Sequence, residues 1–286
     1  MLKTRLISML ILIPITILMV FLLPIIPFSI VVSIICLISA WEWGKMHHFS
    51  DYVHRMWICA IFGLLCITMI IVTIKSYLYF NNWHIFWYIL GSISIVWWVL
   101  AFSLILSYPD SAILWKKSNV LCFFFGILII LPFFLGILTL HQFHHINDST
   151  IGAWCLLYIV ILIWINDSSA YIIGKTLGRR KLLESVSPKK TWEGFIGGIL
   201  ISTGISWLFS IYMPIKVINP FLIFIYSIIA IIASIIGDLT ESMFKREAGI
   251  KDSGSLIPGH GGMLDRIDSL FAAVPIFVYL ILLSLY

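Results

Sequence analysis

The sequence predicts an all-α, polytopic integral membrane protein. Of its 286 residues, 61% are hydrophobic and 11% are charged, against roughly 45–50% and about 25% in ordinary soluble domains. Mean hydropathy is +1.08. Apolar runs near the ~20 residues that cross a bilayer recur along the whole chain, separated by short polar connections.

The N-terminus opens like a signal peptide, with Lys3 and Arg5 ahead of an apolar run. No small-x-small cleavage site follows it and further apolar runs do, so an uncleaved first transmembrane helix is expected. Spans are placed near 6–23, 26–43, 57–74, 85–106, 120–140, 152–166, 194–213, 221–237 and 270–286, about nine in all by the length criterion. With the N-terminus in the cytoplasm and the C-terminus outside, every Lys and Arg except Lys75 and Lys216 falls on the cytoplasmic side, as the positive-inside rule requires.

No linker, repeat or low-complexity stretch divides the chain. Residues 1–150 are read as N-terminal membrane helices, about five spans, and residues 151–286 as a C-terminal membrane region, about four spans with two charged cytoplasmic loops. The formal net charge of +5 suits anionic headgroups. The basic residues are scattered through short loops, which argues against nucleic acid. Cys36, Cys59, Cys66, Cys122 and Cys155 lie in apolar runs without CxxC spacing and are expected as small buried hydrophobes. Trp41, Trp43, Trp83, Trp87, Trp97 and Trp98 suit interfacial belts or helix packing. Glu42, at a helix end, is expected at the interface. His141, His144 and His145 sit in a polar connection and are not expected to hold a metal.

The first charged loop runs from Asn166 to Glu193. Asp167 is expected at the end of an apolar helix, where a carboxylate must find a partner or a polar cavity. Ser187-Pro188 fits a helix N-cap and first turn, where free N–H groups favour phosphate, and Lys189 and Lys190 add positive charge. A loop that merely binds anionic lipid explains this stretch equally well.

The second loop starts at Gly237-Asp238 and ends at Asp268. Asp238, Glu241 and Lys245 share one helical face, with Ser242 within a turn of Asp238. Gly249 suits a C-cap. Lys251, Asp252, Gly254 and Pro258 form an irregular link. His260-Gly261-Gly262 offers backbone amides without obstructing side chains. Asp265, Arg266 and Asp268 open the last span. Asp238 and Asp265 mark neighbouring span ends on one face, so the two carboxylates can share a cation. Hard oxygen ligands beside dense positive charge suit phosphoryl or nucleotidyl transfer. The plain alternative is salt-bridged helix ends, Asp238 with Lys245 and Asp265 with Lys251. Walker A spacing, HExxH and a hydrolase elbow are absent.

Read together, Ser242, Lys245, Arg246, Lys251, Asp252, Gly254, Ile257, Pro258, His260, Gly261, Gly262, Asp265, Arg266 and Asp268 fill without a gap a pattern that resembles the signature of bacterial phosphatidate cytidylyltransferases, the CDP-diacylglycerol synthases. The run Ser187–Gly194, Asp167, Gly174 and Gly178 are similar to the family as well, as are the opening residues and Ala40-Trp41-Glu42-Trp43. Asn166–Ser169 departs from it: members often carry a small residue before the Asp and Gly at the fourth position.

The resemblance implies transfer of CMP from CTP to phosphatidic acid at the inner face of a bacterial cell membrane, with the lipid phosphate as nucleophile. It implies Mg²⁺ on Asp238 and Asp265, with a second cation left open. Lys245, Arg246 and Lys251 are assigned with them to the catalytic set. Asp167, Ser187, Lys189, Lys190, Ser242, His260, Gly261, Gly262 and Arg266 are assigned to substrate. The expected partners are CTP, phosphatidic acid in the bilayer and other membrane lipids, with a homodimer left open. Two rivals stand beside this: a CTP-dependent lipid kinase of the dolichol or phytol type, and a non-catalytic anionic-lipid transporter. The Asp-Gly-x-x-Ala-Arg opening of CDP-alcohol phosphotransferases is missing.

Overall fold

The computed structural model describes residues 13–46, 52–79, 83–143, 150–212, 219–256 and 261–285. Its helices are α1 (Ile13–Leu22), α2 (Ile25–Met46), α3 (Tyr52–Tyr79), α4 (Trp83–Leu106), α5 (Ala112–Trp115), α6 (Asn119–Gln142), α7 (Ile151–Thr176), α8 (Trp192–Tyr212), α9 (Pro220–Glu247) and α10 (Leu264–Leu285). Among the described residues, eight helices are long and apolar enough to cross a membrane. The shorter α1 falls within the expected first span, the rest of which lies outside the described residues. The polytopic helical class therefore holds.

Two expectations are corrected. Three helices run further into the charged stretches than the apolar runs suggest. α7 continues past Asn166 to Thr176, which corrects the expected end at Asp167. The run of α9 to Glu247 and the start of α10 at Leu264 agree instead with the shared helical face, the Gly249 cap and the Asp265 start read from the sequence. Asp167 is therefore inside a helix, not at its end. Hydropathy stops at the first charge, whereas the Glu, Met, Lys and Arg that α9 adds are good helix formers and the weaker formers of the α7 extension are held by packing on α8. Ser169 and Thr176 also turn their hydroxyls back onto the Ile165 and Ile172 carbonyls, at 2.7 and 2.9 Å, so the polar turns need no outside partner.

The second correction is a two-stranded antiparallel hairpin between α7 and α8, β1 (Lys181–Leu183) with β2 (Ser187–Thr191). Ser187-Pro188 lies in β2, not at a helix N-terminus. Pro188 lacks an N–H and is tolerated at a sheet edge. The helix start falls at Trp192 instead, where the Thr191 hydroxyl accepts the Gly194 N–H at 3.2 Å.

α10 is the axis of the bundle. It packs along α9 and also touches α2, α4, α6 and α7, so both halves of the chain share one core around the buried Phe271, Ala272, Val274 and Phe277. α9 and α10 approach so closely that a Cβ on Gly237 would lie 2.7 Å from the Asp268 carbonyl and 3.2 Å from the Ala272 methyl. α7 and α8 pair through Ala170, Gly174 and Gly194, the small-residue contact that lets helices pack in lipid. α9 ends as the sequence suggests. Gly249, at φ +68°, lets its own N–H reach the Arg246 carbonyl and the Ile250 N–H reach that of Lys245, a Schellman closure. Trp43, Trp87, Trp97 and Trp98 are buried and serve packing rather than an interfacial belt. Of the cysteines, Cys59 is half-buried and the other four are buried.

Candidate active site

Charged segments far apart in sequence meet at one end of the bundle. Lys190 on β2 donates to Asp238 on α9 at 2.5 Å. Arg246 on α9 donates to the Val186 carbonyl in the hairpin turn at 3.3 Å. Glu247 at the end of α9 pairs with Lys116 at 3.1 Å. Glu42 at the end of α2 accepts from the N-terminus of α10. The two charged stretches therefore form one surface.

Two acidic groups lie side by side in it. In the first, Asp167 on α7, Asp238 on α9 and Asp268 on α10 are close enough to repel one another. The tight α9–α10 approach accounts for this proximity, because it sets Gly237, next to Asp238, against the Asp268 carbonyl. Asp167 Oδ2 accepts from the Ser269 hydroxyl at 3.1 Å, and its side chain is exposed. Asp238 Oδ1 accepts a long bond from Ser242 at 3.4 Å. Lys190, at hydrogen-bond distance from Asp238, also lowers the electrostatic cost at Asp167.

In the second group, Lys245 is buried between Glu241 Oε2 at 2.5 Å and Asp265 Oδ1 at 2.8 Å. Asp265 Oδ2 accepts the backbone N–H groups of Ser253 at 2.9 Å and Gly262 at 2.8 Å. Both oxygens of Asp265 are thus engaged by protein. Glu241 keeps Oε1 without a hydrogen bond on the wall of a small internal cavity it shares with Asp268, Trp98 and Thr240.

The sequence-chosen residues divide accordingly. Asp167, Asp238, Lys190 and the mostly buried Ser242 converge. Lys245 and Asp265 converge a turn away. The Asp238–Lys245 and Asp265–Lys251 pairs of the plain alternative are replaced by Asp238–Lys190 and Asp265–Lys245. Arg246 holds the hairpin turn and the Ile250 carbonyl. Lys189, Lys251 and Arg266 are exposed, and Ser187 and Gly261 are half-buried. The Gly262 amide is taken by Asp265. His260 lies outside the described residues.

Three acidic residues were given no role by sequence reasoning or were misplaced by it. Asp268 was quoted only as part of a motif, Glu241 only as part of a helical face, and Glu42 was expected at the interface. Glu42 is in fact buried, 4% exposed. An ionisable residue inside an apolar helix was the available signal, since such groups are retained for a reason.

The carboxylate oxygens are of the hard type that divalent cations take. Among the described residues, no three His, Cys, Asp or Glu side chains are converged tightly enough to hold a metal unaided. Mg²⁺, however, is usually held by one or two carboxylates together with waters and substrate phosphates. Carboxylates crowded from three helices leave negative charge that a cation would relieve.

The cytidylyltransferase family model matches residues 3–284. The chain is 38% identical to the phosphatidate cytidylyltransferase of Haemophilus influenzae over 98% of both chains. It is 36% identical to that of Pseudomonas aeruginosa over 98% of this chain and 97% of the relative. The Bacillus subtilis enzyme of the same name is 37% identical over 55% of this chain and 58% of its own length. The chain belongs to the cytidylyltransferase family.

Proposed function

We propose that the chain transfers CMP from CTP to phosphatidic acid, giving CDP-diacylglycerol and pyrophosphate for phospholipid synthesis. The observation that carries this reading is the basic hairpin fastened onto an acidic cluster at the end of an apolar bundle, Lys190 on Asp238. That juxtaposition offers a polyphosphate and a cation one common place, beside a bilayer that holds the lipid.

A phosphate oxygen of phosphatidic acid attacks the α-phosphorus of CTP. The bond from that phosphorus to the bridging oxygen breaks, and pyrophosphate leaves with the electron pair. The nucleophile is already an anion, so no general base is needed. The task of the protein is positioning and charge stabilisation. Lys189, Lys190, Lys251 and Arg266 are assigned to phosphate oxygens. Ser187, Ser242 and Gly261 are assigned to the nearby polar rim, and Arg246 keeps the hairpin in place. Lys245 stays between Glu241 and Asp265 and acts through Asp265.

Asp238, Asp268 and Asp167 would hold Mg²⁺, which supplies positive charge to the polyphosphate. This assignment keeps Asp238, whose oxygens meet only the part-exposed Lys190 and a long bond from Ser242. It sets Asp268 and Asp167 beside it, because the Asp265 side chain is buried with both oxygens held by Lys245 and two amides. The site is assigned to the cytoplasmic face of the bacterial inner membrane, in keeping with the bias of Lys and Arg.

Purified protein given CTP, phosphatidic acid and Mg²⁺ tests the reading through its phosphorus products. Pyrophosphate with CDP-diacylglycerol is the expected pair. CDP with a phosphorylated lipid would replace it with lipid-kinase chemistry, and intact CTP would leave headgroup binding alone.

A further inference from the structure

We propose that Glu42, on α2 in the first half of the chain, is a positioning residue for the reaction centre, fastening both ends of the 253–264 segment to the start of α10. Its carboxylate accepts from the Ser253 hydroxyl at 3.0 Å, the Met263 N–H at 3.1 Å and the Leu264 N–H at 2.8 Å. Met263 and Leu264 stand at the N-terminus of α10, where unpaired N–H groups and the helix dipole favour an anion. A helix more than 200 residues away in sequence thus caps the helix that presents Asp265 and Asp268.

The surrounding residues are cut to fit this carboxylate. A Cβ on Gly254 would lie 2.3 Å from Glu42 Oε1, and one on Gly262 would lie 2.4 Å from Oε2. Ser253 joins the two carboxylates that hold the segment, its N–H on Asp265 and its hydroxyl on Glu42. Glu42 itself is buried, and a buried carboxylate persists only when its oxygens are satisfied. Fixing residues 253–254 against 262–264 sets the start of α10, and with it the direction of the Asp265 and Asp268 side chains. A small displacement of such groups is enough to slow a positioned reaction a hundredfold.

The proposal rests on the cytidylyltransferase reading, and the wild-type enzyme separates the two. A wild type that makes no CDP-diacylglycerol would fail that reading, whereas Glu42 is judged by ratios to an active wild type and by a measurement that needs no activity. Glu42→Gln keeps the shape of the side chain but turns an NH₂ toward at least one N–H or O–H donor. Its kcat is expected to fall at least tenfold, with the KM for CTP within threefold of wild type. Hydrogen exchange should accelerate in residues 253–256 and 261–266 and remain unchanged elsewhere.

Gly254→Ala gives the second arm, since the nearest atoms to the added methyl all belong to Glu42. It should cost at least tenfold in the wild type and less than threefold in a Glu42→Ala background, a coupling that only direct contact produces. Three results would each overturn the proposal. These are near-normal kcat in Glu42→Gln, exchange that accelerates across α2, α9 and α10 together, and Gly254→Ala effects that simply add to those of Glu42→Ala.

Discussion

Lys190 in the hairpin and Asp238 on α9 are joined at 2.5 Å, with both side chains about a quarter to a third exposed. This single contact ties together the two charged stretches, 48 residues apart, and gives Lys190 two roles where its neighbour has one. Lys189 is exposed and makes no such contact. Lys189→Ala should raise the KM for CTP about tenfold and leave kcat nearly unchanged, because a phosphate contact worth roughly 1.5–3 kcal/mol acts alike in ground and transition states. Lys190→Ala should raise KM and also lower kcat, since Asp238 loses its partner. Steady-state kinetics on the two variants check this, and identical profiles would remove the distinction.

Lys245 is predicted to be structural in a way its neighbours on the surface are not. It is buried between Glu241 and Asp265. Removing one partner of a buried ion pair leaves uncompensated charge, at a cost of about 3–5 kcal/mol. Lys245→Ala should therefore lower the thermal midpoint in detergent markedly, while Lys251→Ala, at an exposed position, should leave it in place. Equal midpoints would show that Glu241 and Asp265 do not depend on Lys245.

Sidedness gives a third prediction. Single cysteines at Gln142 or Thr150 should react with an impermeant maleimide in intact cells, and cysteines at Glu184 or Lys251 should react only after permeabilisation. The reverse pattern would place the site away from cytoplasmic CTP.

Much of this architecture was legible in the sequence because lipid imposes a strong rule, that long apolar runs become helices. The same rule hid the helix ends. It gave α7 no reason to continue through Asp167 to Thr176, a stretch of Asn, Asp, Ser and Gly that helix propensity disfavours too and that packing of Ala170 and Gly174 on Gly194 holds in place. The hairpin escaped because Ser187-Pro188 also reads as a helix start, and only the Thr191 hydroxyl on Gly194 decides between the two. That the chosen basic and acidic residues would meet at one end of the bundle was legible. Their partners were not, because pairing depends on helix approach. Gly237 packs on Asp268 and Ala272, and that contact brings Asp268 to Asp238. Glu42 was marked by its charge in an apolar run, but its role was not legible, because its donors lie in the other half of the chain.

The cation assignment is the claim on which the chemical account turns, and binding of Mn²⁺ in place of Mg²⁺, read by electron paramagnetic resonance without substrate turnover, tests it most directly. Asp238→Asn and Asp268→Asn keep side-chain shape and remove charge, and each should weaken Mn²⁺ binding at least tenfold in protein that remains folded. Asp265→Asn should keep Mn²⁺ bound within about threefold while turnover falls, because that carboxylate serves Lys245 and the Ser253 and Gly262 amides; a tenfold step corresponds to about 1.4 kcal/mol. Asp252→Asn, exposed and outside both acidic groups, should leave binding at the wild-type level. Unchanged Mn²⁺ affinity in folded Asp238→Asn and Asp268→Asn proteins, with loss confined to Asp265→Asn, would contradict the account and return the ion to Asp265.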